Sequence, residues 1–127
     1  MFRATSPAQG DAPYLRKIDS ALQGLLIVYL TGGDVTKDAR ASGLHVDDKR
    51  EVLTDIYVTS PVSQAAAQFE SMGMTVQATN EAMGVVEGPL PMDAVLPVAR
   101  LDFAKSLMAV TALGTNNNLY PNPYPNP

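Results

Sequence analysis

The sequence has no cysteine and a single histidine among its 127 residues. Lack of cysteine excludes disulfides, thiolate zinc sites and thiol nucleophiles. A lone histidine excludes a multi-histidine metal centre. Charge is scarce too: 9 basic and 13 acidic residues make up 17% of the chain and leave a net charge of −4. Phosphate binding needs clustered Lys and Arg, so nucleic acid is not an expected partner. No long hydrophobic run is present. The longest, Leu25 to Leu30 with a weak extension through Ala21 and Leu22, is far below the ~20 residues that span a bilayer. It also lies too deep for a signal peptide, and the Thr31-Gly32-Gly33 that follows is not an Ala-x-Ala cleavage site. Apolar residues, by contrast, make up 46% of the chain, as in globular proteins, at a length that fits one domain. These exclusions leave little room for a many-residue catalytic centre and favour a binding or assembly module.

The pattern along the chain divides it into four parts. Residues 1–10 are expected to be a flexible lead-in. In 11–50, Asp11 with Pro13 behind it opens a helix. Its apolar stripe is Leu15, Ile18, Leu22, Leu25, Leu26 and Tyr29, and Gly32-Gly33 ends it. Asp34 to Arg50 is polar and is expected to be a linker with a turn.

Residues 51–113 carry the strongest pattern. Glu51 to Thr59 is β-branched and alternating, hence a strand. Ser60-Pro61 reads as an N-cap and first helical residue. The helix they open has Val62, Ala65, Ala66, Phe69 and Met72 on one face and stops at Gly73. Met74–Thr79 predicts a second strand, Asn80–Gly84 a turn, and Val85–Leu90 a third strand. Pro91 opens a short helix with Met92, Val95, Val98 and Leu101 inward, which Pro97 confines to a turn or two. Ala104–Leu113 is the last strand. The order β-α-β-β-α-β predicts an α+β, ferredoxin-like antiparallel sheet of order 4-1-3-2 with both crossover helices on one face. Residues 114–127 are a Pro/Asn/Tyr-rich tail with four prolines in the last seven positions, expected to be extended and polyproline-like. Tyr120-Pro-Asn-Pro123 recurs there as Tyr124-Pro-Asn-Pro127.

Several stretches resemble a known module. They are Val52-Leu-Thr-Asp-Ile-Tyr-Val58, Phe69-Glu-Ser-Met-Gly-Met-Thr-Val76, Gly84-Val-Val-Glu-Gly-Pro-Leu-Pro91, Val98-Ala-Arg-Leu101 and, upstream, Lys17-Ile-Asp-Ser-Ala-Leu22. Together they are similar to a propeptide-like module of bacterial cell-surface proteins that often precedes subtilisin-like protease domains. It looks like a relative of the βαββαβ subtilisin propeptides. The resemblance implies an extracellular or cell-surface protein that docks on a subtilisin-type protease and inhibits it or assists its folding. It also implies that the open sheet face rests on the enzyme and that the segment after the last strand enters the cleft.

In the first strand, Val52, Thr54, Ile56 and Val58 should point at the helices, and Leu53, Asp55 and Tyr57 at the open face. Leu53 and Tyr57 are costly to leave in water, so that face is expected to be covered, by the helix of 11–31 or by a partner. Leu53, Tyr57, Leu119, Tyr120 and Tyr124 are the candidate partner-binding residues.

Other candidates for chemistry read as ordinary structure. His45 beside Asp47 and Asp48 lacks a second ligand or nucleophile at a defined spacing. Asp47-Asp48 lacks the oxygen pattern of a calcium loop. Gly32-Gly33 is a helix stop rather than a phosphate cradle. Ser106 follows Lys105 rather than the Gly-Thr context of a subtilisin nucleophile. The methionines, among them Met72, Met74, Met83, Met92 and Met108, are expected to fill core gaps. The expectation is therefore a non-enzymatic interaction module, without cofactor or metal, whose partner is a subtilisin-type protease. A self-assembling surface protein using sheet edges and the tail, and a small ligand-binding domain, are the alternatives.

Overall fold

Strand β1 (Val52–Val58) is the centre of the molecule. A computed structural model, which describes residues 13–111, places it between two antiparallel neighbours. These are β3 (Val85–Leu90) and β4 (Ala104–Ala109). The short β2 (Ala78–Asn80) pairs with the far side of β3. The result is an α+β fold with a four-stranded antiparallel sheet of order β2-β3-β1-β4, which read from the β4 edge is 4-1-3-2.

Alternation along β1 separates two faces, as the side-chain period of two requires. Val52, Thr54, Ile56 and Val58 are all buried beneath the helices. Thr54 satisfies its hydroxyl locally by donating to the Val52 carbonyl at 2.8 Å. Helices α3 (Val62–Ser71) and α4 (Met92–Ala99) supply Phe69, Ala65, Val95 and Val98 to the same cluster. Phe69 is fully buried, and its ring centroid lies 5.8 Å from that of Phe103. Pro97 sits inside α4, which is eight residues long, about two turns.

The N-terminal segment departs from the expected single helix. Pro13–Lys17 is a 3₁₀ turn, and α1 begins afresh at Ser20 and runs to Leu30. The break has a cause: Ile18 bridges to Leu107 on the outer edge of β4, and the Asp19 amide donates to the Leu107 carbonyl at 2.9 Å. Asp19, not Asp11, then caps the helix, its carboxylate accepting from the Leu22 amide at 2.8 Å. Asp11 lies outside the described residues. Two contacts pin the 3₁₀ turn to the end of α4. Lys17 donates to the Leu101 carbonyl at 3.0 Å, and the Arg100 guanidinium stacks 4.9 Å over the Tyr14 ring.

The expected linker of 34–50 contains a helix, α2 (Val35–Ala41), capped by Asp34. Its two buried residues, Val35 and Ala39, extend the core cluster toward Leu25 and Leu44. Gly32, at φ +82, ends α1 as expected. The third helix starts one residue later than expected: Pro61 is its N-cap, and no side chain caps it.

Strand β2 is also shorter than expected, because the chain before it meets β3 irregularly. The amides of Thr75 and Gln77 donate to Pro89 and Glu87 carbonyls at 3.1 and 2.8 Å. This brings the Thr75 carbonyl so close to Gly88 that a Cβ there would collide with it. Strand β4 ends at Ala109 rather than Leu113, and Thr111 makes a single bridge to Leu44.

Candidate functional site

The second face of the sheet carries the unusual chemistry. Register places Leu53 opposite Pro89, Asp55 opposite Glu87 and Tyr57 opposite Val85 across β1 and β3. On the other side of β1, Asp55 faces Met108 and Tyr57 faces Ser106. Every helix sends its buried residues to one cluster with Val52, Ile56, Val86, Leu90 and Leu107. Leu53 and Val85 are buried outside that cluster, at 3% and 0% exposure.

At the centre of this face two carboxyl groups meet. Glu87 is only 5% exposed. Asp55 is pushed up to about 9, first by burial, then by its hydrogen bond to Glu87 and the charge of Glu87. The Asp55 carboxyl is therefore held well above the usual carboxylate range, because charge on two carboxyl groups this close is mutually disfavoured. Its Oδ1 oxygen is buried and has no hydrogen-bond partner. The Tyr57 phenol is raised as well, by burial first and then by the negative field of Asp55 and Glu87. The pair offers acceptor oxygens to a donor or cation brought by whatever covers the face.

The sequence-predicted residues divide accordingly. Leu53 and Tyr57 share this face, Leu53 buried and Tyr57 half-buried. Leu119, Tyr120 and Tyr124 lie outside the described residues. The helix expected to cover the face does not do so. Its bridge at Ile18 launches α1 on the other side, where Leu22, Leu25 and Leu26 join the main core.

His45 is half-buried in the strand-like stretch beside Leu53, and its carbonyl accepts from the Leu53 amide at 3.0 Å. Asp47 spends one oxygen on the turn amides of Lys49 and Glu51, both at 2.9 Å. Ser106 is a half-buried strand residue. Met74 and Met92 fill the core, but Met83 and Met108 are exposed, since each stands on a turn or strand face that no helix covers. Among the described residues no group of three or more His, Cys, Asp or Glu is placed to hold a metal ion. None of the described helices is long and apolar enough to cross a membrane.

A cavity of about 370 Å³ opens at the far end of β1, between Ser60, Val62, Glu81 and Met83. The Ser60 hydroxyl, expected as a helix cap, is buried there without a partner.

The Asp55–Glu87 pair is what sequence reasoning missed. The available signal was an acidic residue at the middle of each of two apolar strands. Comparison of the chain with family models, curated proteins and solved structures finds no match in any of the three.

Proposed function

We propose that this chain is a ferredoxin-like, non-enzymatic interaction module that binds a subtilisin-type protease, inhibiting it or assisting its folding, in a bacterial extracellular or cell-surface setting. One observation carries the reading: on the face opposite the helices Asp55 and Tyr57 stay partly exposed and Met108 exposed, beside Leu53 and Val85, which lie outside the helix-side core. A face built that way is suited to contact. The βαββαβ succession from β1 to β4 and its strand order agree with the propeptide-like resemblance. No cofactor enters this reading.

Self-assembly through sheet edges has less support. The β4 edge is occupied at Leu107 by Ile18, and β2 is three residues long.

The test is inhibition of a panel of subtilisin-type proteases by the purified chain, with recovery of activity when each denatured protease is refolded in its presence. Inhibition or improved recovery at micromolar concentration, weakened at least tenfold by Tyr57→Glu with unchanged circular dichroism, is the expected result. Neither effect against any member of the panel would remove the proposal.

A further inference from the structure

Helix α1 is apolar on both of its sides. Leu22, Leu25 and Leu26 are its buried residues. On the outward side Ile27 and Leu30 are each 63% exposed. Gly24 stands in the same row at three-residue spacing, and a Cβ added to it would meet nothing within 4 Å. Glycine inside a helix weakens it, and none of the described residues uses the notch that Gly24 leaves. A helix that is apolar all round belongs in an interior. Its 11 residues make ~16 Å of helix, about half of what a bilayer core requires.

Charge says what fits the outward side. Among the described helices, α1 alone carries no Asp, Glu, Lys or Arg. In a chain of net charge −4, a second copy meets least repulsion at such a face. The row is also self-complementary, with a notch at Gly24 and a protruding side chain at Ile27 one turn later.

We propose that α1 is the contact between two copies of this chain, crossing antiparallel about a two-fold axis at the level of residues 25–26. Ile27 of each copy then fills the notch at Gly24 of the other, and Leu30 lies over the Ser20 end. Glycine at the crossing lets the helix axes approach to ~8 Å. Antiparallel packing opposes the two helix dipoles. It also brings the end of α1 that follows exposed Arg16 toward the end that precedes exposed Asp34. The contact involves few side chains, well below ~800 Å² per copy, so the dimer is weak and forms with rising concentration. Helix α1 belongs to the helix-side cluster, so this dimer leaves the second sheet face free and does not depend on a protease partner.

The test is sedimentation equilibrium of the full chain from ~10 μM to ~1 mM, where a contact of this size should give a monomer–dimer equilibrium. Gly24→Gln and Ile27→Gln should each weaken dimerisation at least tenfold. Gly24→Gln fills open space on its own chain, so at a dilution where the parent is monomeric it should unfold at the same temperature as the parent or higher. Orientation is read from a mixed sample, which the absence of native cysteine makes simple. A nitroxide on Ser20→Cys of one copy should broaden the Leu30 and Thr31 amides of an isotope-labelled second copy more than its Ser20 and Ala21 amides. A chain that stays monomeric throughout, a dimer that both glutamine variants leave intact, or the reverse order of broadening would each overturn the proposal. So would a monomer that instead co-sediments with phosphatidylcholine vesicles and loses that binding with Ile27→Gln, which would assign the face to lipid. Protease inhibition enters none of these readouts, so the two proposals can fail separately.

Discussion

Asp55 and Ile56 are neighbours in β1 and look into two different environments. Ile56 meets Leu107, Val86 and the helices in a wholly apolar cluster. Asp55 meets Glu87, with Leu53, Tyr57 and Val85 around them. Both faces bury residues of the two central strands, yet one does so through apolar packing alone and the other around two carboxyl groups, with Asp55 and Tyr57 still partly exposed. The first environment stabilises the fold by removing apolar area from water, at ~25 cal/mol per Å². The second costs stability, because a carboxyl group in it must keep its proton. A protein retains such a cost where a surface serves contact rather than folding, and this difference is the physical basis for assigning the two faces different roles.

The comparison is broken most severely from the helix side. Phe69→Ala removes a fully buried ring at the centre of the apolar cluster and should cost about 3–5 kcal/mol in denaturant unfolding. The same measurement on Gly88→Ala should show a loss of ~1–3 kcal/mol. There the added methyl meets the Thr75 carbonyl, a backbone group that moves only by releasing the Thr75 and Gln77 hydrogen bonds to β3. Amide exchange should accordingly accelerate at residues 75–80 and stay unchanged in β1.

How far this arrangement is legible in the sequence depends on the period of each segment. Val52–Val58 and Val85–Leu90 are long enough, and alternate or run apolar clearly enough, for their bounds to be predicted within a residue. Helix α2 was hidden because two buried residues, Val35 and Ala39, are too few to make a stripe. The break before α1 is invisible to periodicity, since Ile18 fits the helical stripe but is taken by the edge of β4. The open face is legible through Leu53, Asp55 and Tyr57. Its central feature is not: pairing Asp55 with Glu87 needs the register between strands separated by a helix and another strand, which tertiary packing sets.

The second face can be tested by relieving its cost. Asp55 has an ordinary value of 3.8 and is held near 9 in the fold, so the folded protein binds a proton that the unfolded chain has released. The contribution of this proton is complete below pH ~4 and is lost as pH rises toward ~9, at a slope of at most ~1.4 kcal/mol per unit. Asp55→Asn keeps a donor toward Glu87 and removes the titration. At pH 7 it should stabilise the chain by on the order of 1–2 kcal/mol, the slope being reduced by the partial exposure of Asp55. The gap between the two proteins should widen from pH 5 to pH 8 in chemical denaturation. A gap that stays constant over that range would mean that Asp55 is ionised and the face is wet.

The smallest effect concerns the carboxylate on the helix side, and it sharpens the contrast with Asp55. Asp19 is also raised by burial, but its hydrogen bonds to the amides of Leu22 and Ala109 oppose the rise. It is an acceptor with backbone donors, where Asp55 faces a second carboxyl group. Asp19→Ala removes the cap and the tie to β4 and should cost ~1 kcal/mol. The loss should appear as faster amide exchange in the first turn of α1. Asp19→Asn keeps an oxygen for the Leu22 amide and removes the charge that burial disfavours. It should therefore equal or exceed the parent in stability above pH ~4, where the parent carboxyl begins to ionise in the unfolded chain. If the two Asp19 variants are equally destabilised, the cap depends on the full negative charge. The two carboxyl groups would then differ in the sign of their contribution to the fold as well as in their surroundings.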